Sequence, residues 1–191
     1  MRIVGAGVFG APDSTRNDRY ARLGYVAGLL ATIPRRPKMP MEAALWLADV
    51  AISVEQIKLY FARDGQPVAY ASWALLAEEV EQRVARLGFP LLHVSEWNEG
   101  SLLWIVDLVA PYGHLPYVLC DLRDEVFSEH QKACYLRTKG EGHVAREIRR
   151  SSIASIVRKR TIPMLAGVTE LPGWRAEGTD SWSARLREPT P

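Results

Sequence analysis

Cysteine is nearly absent from this chain: Cys120 and Cys134 are the only two among 191 residues. Two cysteines make no disulfide framework, and neither stands at a zinc-ligand spacing from histidine, so no metal site is expected. The scarcity suits a reducing, cytoplasmic setting. Long apolar runs are missing too. No stretch approaches the ~18 apolar residues that a membrane-spanning helix requires. The first ten residues are apolar but carry neither a basic leader of any length nor an Ala-x-Ala exit, so no signal peptide is expected. Charge of one sign is also lacking: 24 Lys and Arg face 22 Asp and Glu, a net of +2. Internal repeats are absent.

What is present is enough apolar material for a core, 48% of the residues. A chain of this length defaults to one domain. Thr15 with Asp18 three residues on makes a capping-box pattern, and Leu23, Val26, Ala27 and Leu30 then share one face of a helix over about 16–32. Pro34, Pro37 and Pro40 end it and frame a loop. A short helix follows over about 41–50. Ile57–Ala62 and Val68–Trp73 read as two strands joined by an Asp64-Gly65 hairpin turn. Leu76, Val80, Val84 and Leu87 repeat at helical spacing until Gly88 and Pro90. A short strand is expected near 91–95, an apolar strand at 102–109 and a helix at about 115–129. A second hairpin spans 132–149. The order predicts an α/β (α+β) sandwich around a mostly antiparallel sheet. Residues 1–14 read as a flexible leader, 15–165 as one domain, and 166–191 as a poorly ordered tail rich in Gly, Pro, Ser and charge.

Gly5-Ala6-Gly7-Val8-Phe9-Gly10 matches a dinucleotide-binding glycine pattern, but Pro12 breaks the helix it should open and no acid-terminated strand follows. It is read as a decoy. Charge is unevenly distributed. From Lys132 to Arg160 nine Lys and Arg face two Glu, a local +7, which leaves the remainder near −5. Such a segment fits an acidic partner or a solvated face. No aromatic interleaving accompanies it, so nucleic acid is not expected.

The most anomalous residue is Asp107, the one charge in Leu102-Leu103-Trp104-Ile105-Val106-Asp107-Leu108-Val109. A carboxylate in an apolar strand is costly unless it is paired or hydrogen-bonded. It stands just before the turn Ala110-Pro111-Tyr112-Gly113-His114, where chemistry often sits. Its bland alternative is a structural carboxylate held by a core Arg or by backbone amides.

Two blocks, Gly65 to Trp73 and Trp104 to Gly113, together with their spacing and the Pro34–Pro40 loop, resemble the toxin-activating lysine-acyltransferases that accompany RTX haemolysins. The resemblance covers about residues 20–155. It implies a fold similar to the GNAT acetyltransferases and a tendency to dimerise. It implies transfer of a fatty acyl chain from acyl carrier protein, through its phosphopantetheine thioester, to lysine amines of a protein. It also implies catalysis by an Asp on the central strand and a His on the loop after the first helix. Asp107 matches the Asp. The His does not match: Arg36 stands in its place, and arginine stays protonated.

The sequence therefore predicts a fatty acyltransferase with an atypical site. Its donor is acyl carrier protein or acyl-CoA and its acceptor an amine on a protein or peptide; no bound cofactor is expected. The alternative is a non-catalytic protein on the same fold that binds the carrier or the peptide. The catalytic candidates are Asp107, Arg36 and His114. Arg36 offers a cationic fork for a phosphate or an oxyanion. His114, at the head of a helix, is the nearest histidine in sequence to Asp107 and a possible substitute base, in a place where helix N–H groups favour an anion. Ser72, Trp73, Tyr112 and Gly113 are the substrate-binding candidates, Ser72 and Trp73 flanking the acyl channel in the resemblance. His93 is a weaker neighbour of Asp107, and His130 and His143 read as surface residues. The basic 132–160 segment suits an acidic acyl carrier protein.

Overall fold

The computed structural model describes residues 14–33, 40–89, 92–139 and 142–158. The leader with its Gly5–Gly10 pattern, the Pro34–Met39 loop with Arg36, and the tail lie outside these residues. Among the described residues five strands form one sheet in the order β1-β2-β3-β4-β5: Ile57–Phe61, Pro67–Leu76, Leu102–Val109, Lys132–Lys139 and Gly142–Arg149. Every adjacent pair is antiparallel except β3 and β4. That parallel step needs a crossover, which runs through helix α4 (Leu115–Asp121). The expected α+β sandwich on a mostly antiparallel sheet is the observed architecture.

Helices α1 (Ser14–Ala31), α2 (Met41–Ser53) and α3 (Glu78–Leu87) lie on one face. Their apolar stripes supply Val26 and Leu29, Leu47 and Ala51, and Val80 and Val84 to a core that also holds Ile57, Leu59, Tyr70, Ala74, Leu76, Trp104 and Val106. Arg19 grips Asp49 through two hydrogen bonds of 2.8 and 2.6 Å, tying α1 to α2. Trp104 donates its indole N–H to Glu81 at 2.9 Å and so pins α3. The other face carries α4 and α5 (Arg150–Arg158), the last element among the described residues. Val118, Leu122 and Phe127 pack there on Tyr60, Ala69, Ala71 and Leu103.

Several boundaries differ from the sequence reading. The first helix begins at Ser14, so Thr15 lies inside it rather than capping it. Leu76 does not open a helix. It ends β2, fully buried, because β2 continues to pair with β3 as far as Leu76 opposite Leu102. Residues 94–97 form a 3-10 turn rather than a strand, and His93 caps it: its side chain accepts from Ser95 N–H while Glu96 accepts from His93 N–H. The helix expected over 115–129 stops at Asp121 and widens into a π-turn, Leu122–Val126, closed by Phe127 N–H on the Leu122 carbonyl at 2.7 Å. Helix α5 has no counterpart in the sequence reading. Gly100 is required by contact: a Cβ there would sit 2.1 Å from the Leu76 carbonyl oxygen. Among the described residues no helix is long and apolar enough to cross a membrane.

Candidate active site

The site begins with a fault in a ladder. Between β2 and β3 the register runs Tyr70 to Val109, Ala71 to Leu108 and Ser72 to Asp107, then jumps so that Trp73 faces Ile105. Val106 is the extra residue of a β-bulge. In an unbroken strand successive side chains alternate faces, and Asp107 would point with Ile105 toward α4. The bulge re-aims it. Tyr70, Ala74 and Leu76 face the α1–α3 side, and Ser72 shares their parity along β2. Its partner Asp107 therefore looks toward that side as well, just after Val106, which already packs there.

Asp107 is half-buried. Its Oδ2 accepts from the hydroxyl of Tyr70, which is 1% exposed, and its Oδ1 accepts from the Leu108 N–H at 2.9 Å. These bonds meet the desolvation cost of the carboxylate. Ser72, also 1% exposed, lies directly across the ladder. The turn beyond β3 exposes Tyr112 and Gly113 at the same end, and Gly113 takes φ +87°, a left-handed conformation that admits glycine most readily.

Next to Asp107 the sheet loosens. The parallel ladder between β3 and β4 covers only Trp104 with Cys134 and Ile105 with Tyr135, although each strand is eight residues long. It ends short of Asp107. Parallel strands run in the same direction, so the C-terminal end of β4, with exposed Arg137 and Lys139, lies toward the Asp107 end of the sheet.

The other candidates divide. Trp73 faces away from Ser72: its ring meets Phe127 edge-to-face at 5.2 Å on the α4 side. The two therefore line opposite faces rather than one channel wall. His114 is 6% exposed, and its Nδ1 finds no hydrogen-bond partner among the described residues. Burial pushes the imidazole below its ordinary pKa, which keeps it neutral. The head of α4 is a poor anion cradle. Pro116 lacks an N–H, and the N–H groups of Tyr117 and Val118 both bond the His114 carbonyl, at 3.0 and 3.1 Å. His93 is exposed and spent on its turn. His130 and His143 are half-buried rather than surface residues, and the His130 ring packs edge-to-face on Phe127. Cys120 and Cys134 are free thiols whose pKa values burial pushes up.

Sequence reasoning missed a second polar cluster. Lys58 on β1, 1% exposed, places its ammonium 3.0 Å from both oxygens of Asp121 at the end of α4. Tyr60 donates to the same carboxylate at 2.7 Å. A lysine inside Ile57-Lys58-Leu59-Tyr60-Phe61 was a visible signal, since a fully buried strand rarely admits an unpaired charge.

The strand that carries Asp107 lies within the part of the chain that known proteins share. The sequence profile of the RTX toxin acyltransferase family, HlyC, matches residues 15–152. The chain belongs to that family. Its relatives include the lysine-acyltransferase RtxC of Vibrio cholerae serotype O1, 32% identical over 117 residues, which are 59% of this chain and 76% of the relative. The leukotoxin-activating lysine-acyltransferase LtxC of Aggregatibacter actinomycetemcomitans is 36% identical over 104 residues, 54% of this chain and 60% of its own length. The protein-lysine myristoyltransferase RtxC of Kingella kingae is 30% identical over 112 residues, 59% and 65% of the two chains. The match thus spans less than two thirds of the last two relatives. The family is one of acyltransferases.

Proposed function

We propose that this chain moves a fatty acyl group from a carrier thioester, acyl carrier protein or acyl-CoA, to an amine of a protein or peptide acceptor. The observation that carries the reading is Asp107, re-aimed by a bulge, hydrogen-bonded by Tyr70 and placed where the β3–β4 ladder ends. In the reaction the acceptor ammonium first gives a proton to the Asp107 carboxylate. The neutral amine then attacks the thioester carbonyl. The tetrahedral intermediate loses its surplus N–H proton to solvent and collapses; the carbon–sulfur bond breaks, and the thiolate leaves with the proton that Asp107 holds. The amine gains the acyl group and becomes an amide, the carrier is released as a free thiol, and Asp107 is again a carboxylate. Tyr70 keeps the carboxylate oriented throughout.

Arg36 takes the position at which the resemblance expects a histidine. It cannot be a base, and its fork suits the developing oxyanion or a carrier phosphate. His114 keeps a structural part, as a neutral imidazole buried at the head of α4. The donor's protein partner is expected at Arg137 and Lys139, near the Asp107 end of the sheet, where a basic hairpin meets an acidic carrier.

The test is intact-mass measurement of a candidate acceptor incubated with acyl carrier protein charged with a fatty acid. A mass gain equal to one acyl group supports the reading. Carrier binding without any mass gain, for every donor tried, supports instead a binding protein on this fold, the reading that Arg36 favours. Arg36→His sharpens the result. A faster enzyme shows that the site still accepts a base on the loop, whereas a loss shows that the guanidinium has its own task.

A further inference from the structure

The basic β4–β5 hairpin has two ends, and only one of them lies near Asp107. Arg137 and Lys139 stand at that end. Lys132 comes two residues before Cys134, which pairs with Trp104 of β3, so it stands level with Leu102. Asp107 is five residues further along β3, about 17 Å at ~3.3 Å per residue. At this far end an open cleft of about 740 Å³ separates the close of the β4–β5 ladder from the π-turn and the head of α5.

Two triads of charge line the cleft. Glu147 accepts from Lys132 and from Arg149, at 3.0 Å each. Asp124 accepts from Arg123 at 2.7 Å and from Arg150 at 3.4 Å. Each carboxylate is thus shared by two cations, and each triad keeps a charge of +1. The cleft between them carries +2 and attracts an anion. Arg149 is the cation best placed to meet one: its side chain is 74% exposed.

Beside the cleft runs the outer edge of β5. It ends the sheet, and among the described residues no strand pairs with its far side. Its ladder with β4 runs from Lys132 opposite Arg149 to Lys139 opposite Gly142 without a shift, and the strand holds no proline. Natural edges are blunted by bulges, prolines, covers or charge. Here the guard is charge, and Arg146 and Arg149 against Glu147 make it positive. Such an edge repels a basic strand and admits an acidic one. A second copy of β5 would bring like charges together, which is unfavourable. An inorganic phosphate would use the cleft and leave the edge. An extended acidic segment uses both, its backbone on the edge and its carboxylate in the cleft.

We propose that β5 takes an extended acidic segment of the acceptor protein as an added strand, with a carboxylate seated between the two triads. The proposal deepens the acyl-transfer reading and rests on it only for naming the partner as the acceptor. A strand added along β5 leads from Arg149 to Gly142, toward the end of the sheet that holds Asp107. It therefore brings the chain that carries the amine to the site while leaving the opening beside Asp107 uncovered.

The probe is a fluorescein-labelled peptide of alternating Asp and Thr, about twelve residues long, whose acids share one face when extended. It is titrated against the full chain by anisotropy at low salt. Wild type is expected to bind it, and to bind the Asn-for-Asp peptide about tenfold more weakly or worse. Arg149→Glu, at an exposed position outside the transfer site, should weaken binding by a similar factor with an unchanged melting curve, and Arg149→Lys should keep most of the affinity. Two further peptides carry N-methyl groups on one or the other set of alternate residues. One should lose binding and the other keep it, since an added strand turns only alternate N–H groups to its neighbour. Equal behaviour of the two overturns the added strand, and failure of folded wild type to bind the Asp peptide overturns the proposal outright. Binding of inorganic pyrophosphate without the peptide, or a dimer that Arg149→Glu splits with no peptide bound, gives the surface another occupant and also overturns it. A second measurement separates docking from chemistry. With an acceptor identified by its mass gain, Arg149→Glu should raise KM about tenfold and leave kcat unchanged. An unchanged KM overturns the proposal while acyl transfer stands. If no donor turns over but the peptide results hold, the transfer reading fails and the docking edge stands.

Discussion

The two faces of the sheet each hold an aspartate bound by a tyrosine, and the two pairs are built differently. On the α4 face Asp121 is buried, accepts from Tyr60 and is neutralised by Lys58 at 3.0 Å. On the α1–α3 face Asp107 is half-buried, accepts from Tyr70 and from a backbone N–H, and lies at a bulge where the neighbouring ladder ends. The first arrangement locks a helix to a strand far away in sequence and shields every charge. The second holds a carboxylate in place at an opening. On the proposed function the difference separates a carboxylate that serves folding from one that serves chemistry, and it can be broken from either side.

The largest effect is expected at Asp107. Asp107→Asn keeps the shape and much of the hydrogen bonding but removes the proton acceptor. Acyl transfer should fall by about 10²- to 10⁴-fold, the usual contribution of a general base, and the thermal midpoint should move little. Acceptor mass gain over time and a melting curve check both parts. Collapse of the fold with activity surviving in the folded fraction would erase the distinction between the two aspartates.

Asp121 is expected to behave in the opposite way. Asp121→Ala leaves the Lys58 ammonium buried beside a lost partner, and breaking a buried pair from one side costs about 3–5 kcal/mol. Urea unfolding should show that loss. The double variant Lys58→Met with Asp121→Leu should recover most of it, since no charge is then stranded. Turnover per folded molecule should stay within a few-fold of wild type. A double variant as unstable as the single one would mean that the ion pair itself, rather than its incompleteness, governs the cost.

Tyr70→Phe tests the smaller half of the Asp107 pair. One hydrogen bond to a charged group contributes about 1.5–3 kcal/mol at most. A drop of roughly tenfold in rate with unchanged acceptor KM is expected, because the residue positions the carboxylate and does not touch substrate. A rise in KM alone would give Tyr70 a binding part instead.

How far this contrast was legible in the sequence differs between the two sites. Asp107 stood out because one charge interrupts seven apolar residues, and the strand, its turn and the family resemblance all met there. The bulge at Val106 did not stand out, since no glycine marks it and the alternation looks unbroken. Without it, strict alternation along β3 places Asp107 on the α4 face with Ile105. Lys58 was passed over because a strand of five buried residues hides its second face: the partner that neutralises Lys58 arrives from α4, 63 positions later. Helix ends were misread where tertiary pairing overrode periodicity. Leu76 has helical spacing to Val80, but its backbone is claimed by Leu102 across the ladder.

The smallest effect is expected at His114, and its sign follows from burial. The folded imidazole has a lowered pKa, so on acidification the unfolded chain takes up its proton first. The stability tied to the neutral ring is fully present above the unfolded value near 6.5 and is lost as pH falls from there through the lower folded value. Wild type should therefore show a falling urea midpoint across mildly acid pH, and His114→Leu should remove that slope while leaving the unfolding free energy at pH 8 within about 1–2 kcal/mol of wild type, the scale of a replacement of similar volume. Acyl transfer at pH 8 should change little in the same variant. A large loss there with the slope intact would move the base from Asp107 to the head of α4, and with it the whole contrast between the two faces.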